Sequence, residues 1–209
     1  MSVPVAPRFN FPEDEKKYHW LPMLLDAYHA IDRANNVGIP KEEKRRSKKL
    51  ACHKGCSNCC YKSIVPVCQI QIAGISWFCT EKLSGKSRET VKGQITIPYS
   101  IRKHCPFLVE SVCSIYPVRP IACRQFHVFG VPCQVDEDAF KTRPQDIWSP
   151  GIETSKKVLE SILPYYGITS KKQQLFALQT GWLLDNSKDL FELDLRIIYE
   201  SMLAYEKLP

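Results

Sequence analysis

Four of the ten cysteines fall within one short run, Cys52-His53-Lys54-Gly55-Cys56-Ser57-Asn58-Cys59-Cys60. Disulfides between such close neighbours would close only small rings, so they would restrict the unfolded chain little and add little stability. Thiolates repel one another unless a cation neutralises them, so a group of this density indicates a bound metal. Gly55 suits a loop that turns several sulfurs inward, because glycine tolerates positive φ.

A second group of cysteines lies between residues 105 and 133. Apolar residues on both sides of Glu110-Ser111 predict a small β-hairpin, which would bring Cys105 and Cys113 close together. Prolines at positions 117 and 120 end the hairpin, and a short helical turn is expected to present Cys123. With Cys133 as a further donor, the candidate metal ligands are Cys52, Cys56, Cys59, Cys60, Cys105, Cys113, Cys123 and Cys133.

Two kinds of metal centre fit these cysteines. Structural zinc usually joins ligand pairs that are distant in sequence, and it could be held by members of both groups. An iron–sulfur cluster is held by thiolates wrapped from a compact loop, and the spacing Cys52-x3-Cys56-x2-Cys59 suits that wrapping. The spacing favours iron–sulfur, of the 4Fe–4S type, while zinc stays open. Adjacent Cys59 and Cys60 do not easily point the same way, which indicates either two centres or one spare thiol.

Arg119 and Arg124 flank Cys123. We expect both to lie just outside the ligands, where arginines stabilise negative sulfur and hold the loops in place. Cys68 and Cys79 lie in an apolar stretch predicted to be helical over residues 68–83. Buried thiols are common on core helices, so these two cysteines are interpreted as core residues.

The net charge of +7 does not by itself indicate a nucleic-acid partner. Residues 41–49 contain six basic and two acidic side chains, which gives 6 − 2 = +4 and leaves +3 for the rest of the chain. No aromatic residues interleave these charges as a base-stacking platform would require, so the run is interpreted as a solvated face. We therefore expect no nucleic-acid partner, while a protein partner stays open.

The N-terminal residues predict a cytoplasmic protein. Residues 1–20 have neither a basic region nor an apolar stretch typical of a signal peptide, and they contain three acidic residues. In a reducing compartment, grouped cysteines indicate metal or redox sites rather than disulfides. The most apolar segment, residues 64–79, is too short to cross a bilayer, so no membrane association is expected.

The surrounding pattern predicts a mainly α fold with one small β-hairpin, the helices packing around the cysteine-rich loops. A helix is expected from Pro22 to about Asn35, where Asn36 and Gly38 would end it. Residues 84–93 are expected to be a polar connection. Further helices are predicted over residues 153–166, 171–185 and 188–206. We expect a single domain over residues 1–209, with three parts: an N-terminal arm, helix and basic linker (1–49), a cysteine-cluster core (50–135) and C-terminal helices (150–209).

The cysteine run, followed by Cys105-Pro-Phe-Leu, Cys113-Ser-Ile-Tyr, Arg119-Pro and Cys123-Arg124, resembles the YkgJ-type cysteine-cluster proteins, the zinc- or iron-chelating CxxxCxxCC family. The resemblance covers about residues 50–125 and implies that these cysteines bind metal. Many members carry a further cysteine before Pro-Gly, where this chain has Ser149, and Cys133 is the candidate replacement. The related flagellin lysine N-methylases imply an iron–sulfur cluster and S-adenosylmethionine chemistry.

Three functions therefore stay open. The first and favoured one is a metal-binding protein with a structural or redox-active centre and no assigned reaction. The second is an iron–sulfur, S-adenosylmethionine-dependent protein lysine N-methyltransferase. The third is a zinc-stabilised module that binds nucleic acid or an acidic protein through residues 41–49. The chain has no P-loop, dinucleotide-binding loop, H-E-x-x-H or G-x-S-x-G motif, which removes the commonest catalytic classes.

Overall fold

The computed structural model describes residues 7–61 and 64–207. Within them the fold is mainly helical with short antiparallel strand pairs, which confirms the predicted class. The chain first forms α1 (Pro12–Lys17), whose proline in the first turn, acidic N-terminal residues and basic C-terminal residues all suit a helix. The aromatic ring of Phe11, just before α1, packs edge-on against Trp77 at 5.0 Å and fixes this part of the arm to the domain.

Helix α2 (Leu21–Arg46) is longer than the sequence predicted, since it does not end near Asn35. It continues past Gly38, where Trp148 packs so closely that a β-carbon would lie 2.3 Å from its ring. The guanidinium of Arg46 then donates to the backbone carbonyl of Ile147 at 3.1 Å, which attaches the last turn of α2 to a distant segment. The first part of the basic run is therefore helix rather than linker.

After the first cysteine run, β1 covers Pro66–Cys68. Helix α3 (Gln69–Trp77) follows and ends in a π turn over Phe78–Lys82. The expectation of a polar connection at residues 84–93 was wrong, because α4 occupies Gly85–Ile95. The side chain of Arg88 in α4 donates to the carbonyls of Cys79, Thr80 and Leu83, which lie just before the helix. These contacts outweigh the low helix propensity of the two glycines in this segment.

The predicted hairpin is present, with β2 (Leu108–Val109) paired to β3 (Val112–Cys113). Both turn residues, Glu110 and Ser111, have positive φ (50° and 61°), as a two-residue turn of type I′ requires. The predicted helical turn is also present as α5 (Ile121–Gln125), and it contains Cys123.

A strand pair that the sequence did not predict follows α5. Strand β4 (His127–Val128) pairs with β5 (Ile147–Trp148), and α6 (Ala139–Thr142) lies in the connection between them. The paired residues are about twenty positions apart, so no local turn signal announces the pairing.

The C-terminal part contains α7 (Ile152–Ile162), α8 (Lys171–Gln179) and α9 (Trp182–Asp185). The helix predicted over 188–206 begins later than expected, as α10 (Arg196–Tyr205). The reason is that residues 187–189 form β6 (Ser187–Asp189), which pairs with the distant strand β1.

The main core packs α2 against α7, α3 and α5, and it draws buried residues from Leu21 to Met202. A second, smaller apolar cluster contains Val128, Cys133 and Ala139. None of the described helices combines the length and the apolar character needed to cross a membrane.

Candidate metal centre

The first cysteine run is anchored to the β4–β5 pair. The amide of Ala51 donates to the carbonyl of Val128 at 2.8 Å, and the amide of Gly130 donates to the carbonyl of Lys49 at 2.7 Å. These bonds lay residues 49–51 beside β4 as a third, short extended segment. The amide of Val128 also donates to Sγ of Cys52 at 3.4 Å. A backbone N–H aimed at sulfur favours the thiolate form, which is the form that binds metal.

After Cys52 the chain makes two tight turns. In the first, Gly55 has a φ of 85°, which confirms the role expected of it, and the amide of Cys56 donates to the carbonyl of His53 at 2.9 Å. The second is a 3₁₀ turn over Asn58–Cys60. The four thiols of the run are half-buried.

Hydrogen bonds join this run directly to the later cysteines. The amide of Cys105 donates to the carbonyl of Cys60 at 2.7 Å, at the entry to the hairpin. The side-chain amide of Asn58 donates to the carbonyl of Cys133. Residues far apart in sequence therefore meet through the backbones of the cysteine segments themselves.

All eight candidate cysteines have at least one other candidate as a close electrostatic neighbour. Burial, together with nearby thiols, raises the pKa of Cys52 to about 11 and the pKa of Cys123 to about 12. A hydrogen bond between the thiols of Cys59 and Cys60 raises the pKa of Cys60 and lowers that of Cys59. Gathering these sulfurs as thiolates is therefore costly without a cation.

Arg119 is the arginine that faces the sulfurs. Burial alone would lower its pKa, but the thiols of Cys123, Cys113 and Cys59 outweigh burial and the pKa is raised. Its guanidinium also donates to the carbonyl of Cys123. The side chain therefore lies where a positive charge would stabilise thiolates and any metal complex they form.

Arg124 has a different role, because its donors are directed to oxygen atoms. The side chain is 3% exposed and pairs with Asp32 of α2 at 2.7 Å. Its remaining donors bind the carbonyls of Arg119, Tyr116 and Pro117 at 2.8 to 2.9 Å. Arg124 thus fastens the turn before Cys123 onto α2, and it holds the loop rather than contacting sulfur.

A third arginine near the thiols, Arg143, was not predicted from the sequence. It lies just after α6, pairs with Glu137 at 2.8 Å and donates to the carbonyl of Val131. Its pKa is raised by Glu137 and, in smaller part, by a hydrogen bond with Cys133. Arg143 is ten positions from Cys133, and only the fold of the connection brings the two together, so spacing alone gave no signal.

Cys68 and Cys79 are fully buried in the main core, as expected of core thiols. Sγ of Cys68 accepts from the side-chain amide of Gln71 at 3.3 Å. Burial raises the pKa of Cys79 to about 12. Cys68 lies at the end of β1 rather than on a helix, and Cys79 lies in the π turn that follows α3.

The candidate ligands suit a thiophilic metal, because cysteine sulfurs bind zinc and iron–sulfur clusters. Two arginines and a backbone amide lie near these sulfurs and can stabilise their negative charge. Over residues 7–61 and 64–207, however, no group of three or more cysteine, histidine or acidic side chains has the arrangement of a metal site. Loading would therefore require the thiols to close further, as is usual where metal binding and local folding are coupled.

Comparison with protein families gives one match. Residues 51–146 fit the model of the CxxCxxCC family, which is described as a putative zinc- or iron-chelating domain. This range includes all eight candidate cysteines and the three arginines, and it confirms the family resemblance. Searches of the curated proteins and of the solved structures gave no match.

Proposed function

We propose that this chain, whose residues 51–146 match the zinc- or iron-chelating cysteine-cluster family, binds metal through the thiolates of its two cysteine groups. The observation that carries the proposal is the direct backbone bond between the groups, from the amide of Cys105 to the carbonyl of Cys60. The proposed ligands are Cys52, Cys56, Cys59, Cys60, Cys105, Cys113, Cys123 and Cys133.

The metal supplies positive charge to the sulfurs and, if it is an iron–sulfur cluster, a one-electron redox couple. The protein residues around it would set its electrostatics. The amide of Val128 donates to the sulfur of Cys52. Arg119 places positive charge near Cys123, and Arg143 places it near Cys133. Hydrogen bonds and charges of this kind tune the potential of a cluster and the basicity of its ligands.

Iron–sulfur is the form we favour, with zinc as the alternative. The spacing Cys52-x3-Cys56-x2-Cys59 would allow a compact loop to wrap several thiols around a 4Fe–4S cluster, and this spacing supports the preference. Anaerobic purification with iron, sulfide and zinc analysis separates the two. Iron with inorganic sulfide and a broad absorption at about 400 nm would support the cluster. Stoichiometric zinc in a colourless protein would contradict it and leave the coarser proposal of metal binding intact.

Point variants test which thiols hold the metal. We expect Cys56→Ser or Cys59→Ser to lower the metal content, because each removes a donor from the turns of the first cysteine run. Cys68→Ala is the matched control, since Cys68 is buried against Gln71 in the main core and should leave metal content unchanged. Equal metal loss in all three variants would contradict the separation of ligands from core thiols.

We expect no nucleic-acid partner, because the cations of the basic run (residues 41–49) are largely paired within the chain. Four of its cations are already ion-paired within the chain, which reduces the charge free to meet phosphates. The pairs are Arg45–Glu42, Arg46–Glu42, Lys49–Glu43 and Lys48–Asp146. Binding of duplex or single-stranded DNA or RNA that weakens steeply with salt would contradict this expectation.

A further inference from the structure

The candidate cysteines pack into two different apolar clusters. Cys133 lies in the small cluster with Val128 and Ala139, and Cys52 packs against the same cluster. By contrast, Cys105, Cys113 and Cys123 pack against the main core; all three are half-buried there. Cys52 and Cys133 are therefore held by the small apolar cluster, whereas Cys105, Cys113 and Cys123 are held by the main core. The run of residues 56–60 lies between these two groups.

The electrostatic neighbours divide the thiols in the same way. Among thiols, the main neighbours of Cys52 are Cys56, Cys59 and Cys133. Cys133 interacts in turn with Cys59 and Cys56. On the other side, the main thiol neighbours of Cys60 are Cys59, Cys105 and Cys123. Cys59 is the one candidate that appears among the main neighbours of thiols in both groups.

The backbone assigns the two adjacent cysteines to different groups. The carbonyl of Cys60 accepts the amide of Cys105, which holds Cys60 beside the hairpin. Asn58, one residue before Cys59, donates to the carbonyl of Cys133, which holds that end of the turn beside the small cluster. Cys60 therefore belongs with the three thiols of the hairpin side. Cys59 neighbours thiols of both groups, its own thiol bonds that of Cys60, and it is the one remaining thiol that can complete the set of Cys52, Cys56 and Cys133.

Each group also has its own arginine. Arg143 lies beside Cys133, and Arg119 lies beside Cys113 and Cys123 and also near Cys59, where the two groups adjoin. Four thiolates around one divalent zinc leave an excess of negative charge, and an adjacent guanidinium reduces it. Two separately placed arginines fit two separate centres better than one shared centre.

We propose that the chain holds two adjacent four-thiol metal centres, one formed by Cys52, Cys56, Cys59 and Cys133 and the other by Cys60, Cys105, Cys113 and Cys123. Four thiolates are the usual complement of a structural zinc ion and of a 4Fe–4S cluster, so eight thiols provide two complete sets. The Cys59 thiol lies where the two sets adjoin and is in position to link them. This inference rests on the proposed function and adds the number and composition of its centres.

The test measures zinc per chain by mass spectrometry after anaerobic reconstitution and removal of loose metal with a chelator. The full chain should retain two zinc ions. Cys133→Ser and Cys123→Ser should each retain one, the double variant none, and the control Cys68→Ala two. A parallel reconstitution with iron and sulfide should show the same halving of iron. Far-UV circular dichroism establishes that each variant is folded.

The outcomes separate this inference from the proposed function. A parent chain that retains no metal in either reconstitution overturns both. A parent that retains one metal centre overturns only the pair of centres, as does the loss of all metal from a folded Cys133→Ser or Cys123→Ser variant. Cadmium NMR of the unmutated chain gives a second readout that does not depend on variants: two resonances support two centres, and a single resonance contradicts them.

Discussion

Replacement of Arg124 by methionine should be among the most destabilising single changes outside the apolar core. The side chain is 3% exposed, and its guanidinium makes bonds to both carboxylate oxygens of Asp32 and to three backbone carbonyls. Methionine retains similar length and apolar volume but offers no donor. The change therefore removes the charge and the hydrogen bonds while leaving most of the packing in place.

The magnitude follows from the partners that are left behind. Removing one member of a buried ion pair typically costs about 3 to 5 kcal/mol, because the other charge and its neighbours stay buried and unpaired. The side chain of Asp32 is 23% exposed, so water can partly rehydrate it, and we expect the lower end, about 3 kcal/mol. For a chain of this length that corresponds to a fall in melting temperature of roughly 6 to 12 °C.

Urea denaturation followed by circular dichroism would measure the change in the free energy of unfolding. Arg33→Met is the matched control, since Arg33 lies on α2 next to Asp32 but is exposed, and its loss should change stability by less than about 0.5 kcal/mol. Asp32→Asn should fall between the two because the amide oxygen can still accept one of the bonds. If Arg124→Met were as mild as Arg33→Met, the account of Arg124 as the clamp of the Cys123 turn would be wrong.

Two further predictions concern stability alone. Gly38→Ala should destabilise the protein by about 1 to 3 kcal/mol, because the new β-carbon meets the ring of Trp148. Gly93→Ala, in open space on α4, should instead stabilise the protein by about 1 kcal/mol. Thermal melts of both variants measure these changes in stability. The hydrogen bond from Arg45 is the main cause that lowers the pKa of Glu42 from 4.5 to about 2, so this carboxylate stabilises the fold above about pH 4.5 and the benefit is lost as pH falls towards 2. Stability curves of the parent and Glu42→Gln should therefore converge below about pH 2, and a constant difference across that range would contradict the pairing.

Local signals were sufficient for the parts of the site that depend on neighbouring residues. Apolar residues on both sides of Glu110-Ser111 correctly predicted the hairpin, since its two strands are separated by only two residues. Gly55 was likewise assigned correctly to a turn with positive φ. The prolines before Cys123 correctly marked the start of α5. Each of these features is decided within a few residues.

The features that the sequence did not predict depend on distant contacts. Helix α2 continues past Gly38, and Trp148 of β5 packs against that glycine, a contact that no local propensity encodes. Residues 188 and 189, which were predicted to begin a helix, instead pair as part of β6 with β1, more than a hundred positions earlier. Arg143 reaches Cys133 only through the folded connection between β4 and β5. In every case a tertiary partner outweighed the local pattern.

The cysteine segments are positioned largely by bonds that need no metal. Val128, Cys60 and Cys105 fix them through backbone hydrogen bonds, and Arg124 fastens the Cys123 turn to α2. In small zinc modules the metal supplies most of the folding free energy, and the metal-free chain is unfolded. Here the apolar core of α2, α3 and α7 is built mainly from residues other than the candidate ligands, of which Cys105, Cys113 and Cys123 only pack against it. We therefore expect metal binding to rearrange mainly the side chains and loops around the thiols, and we expect its affinity to depend on Arg119 and Arg143.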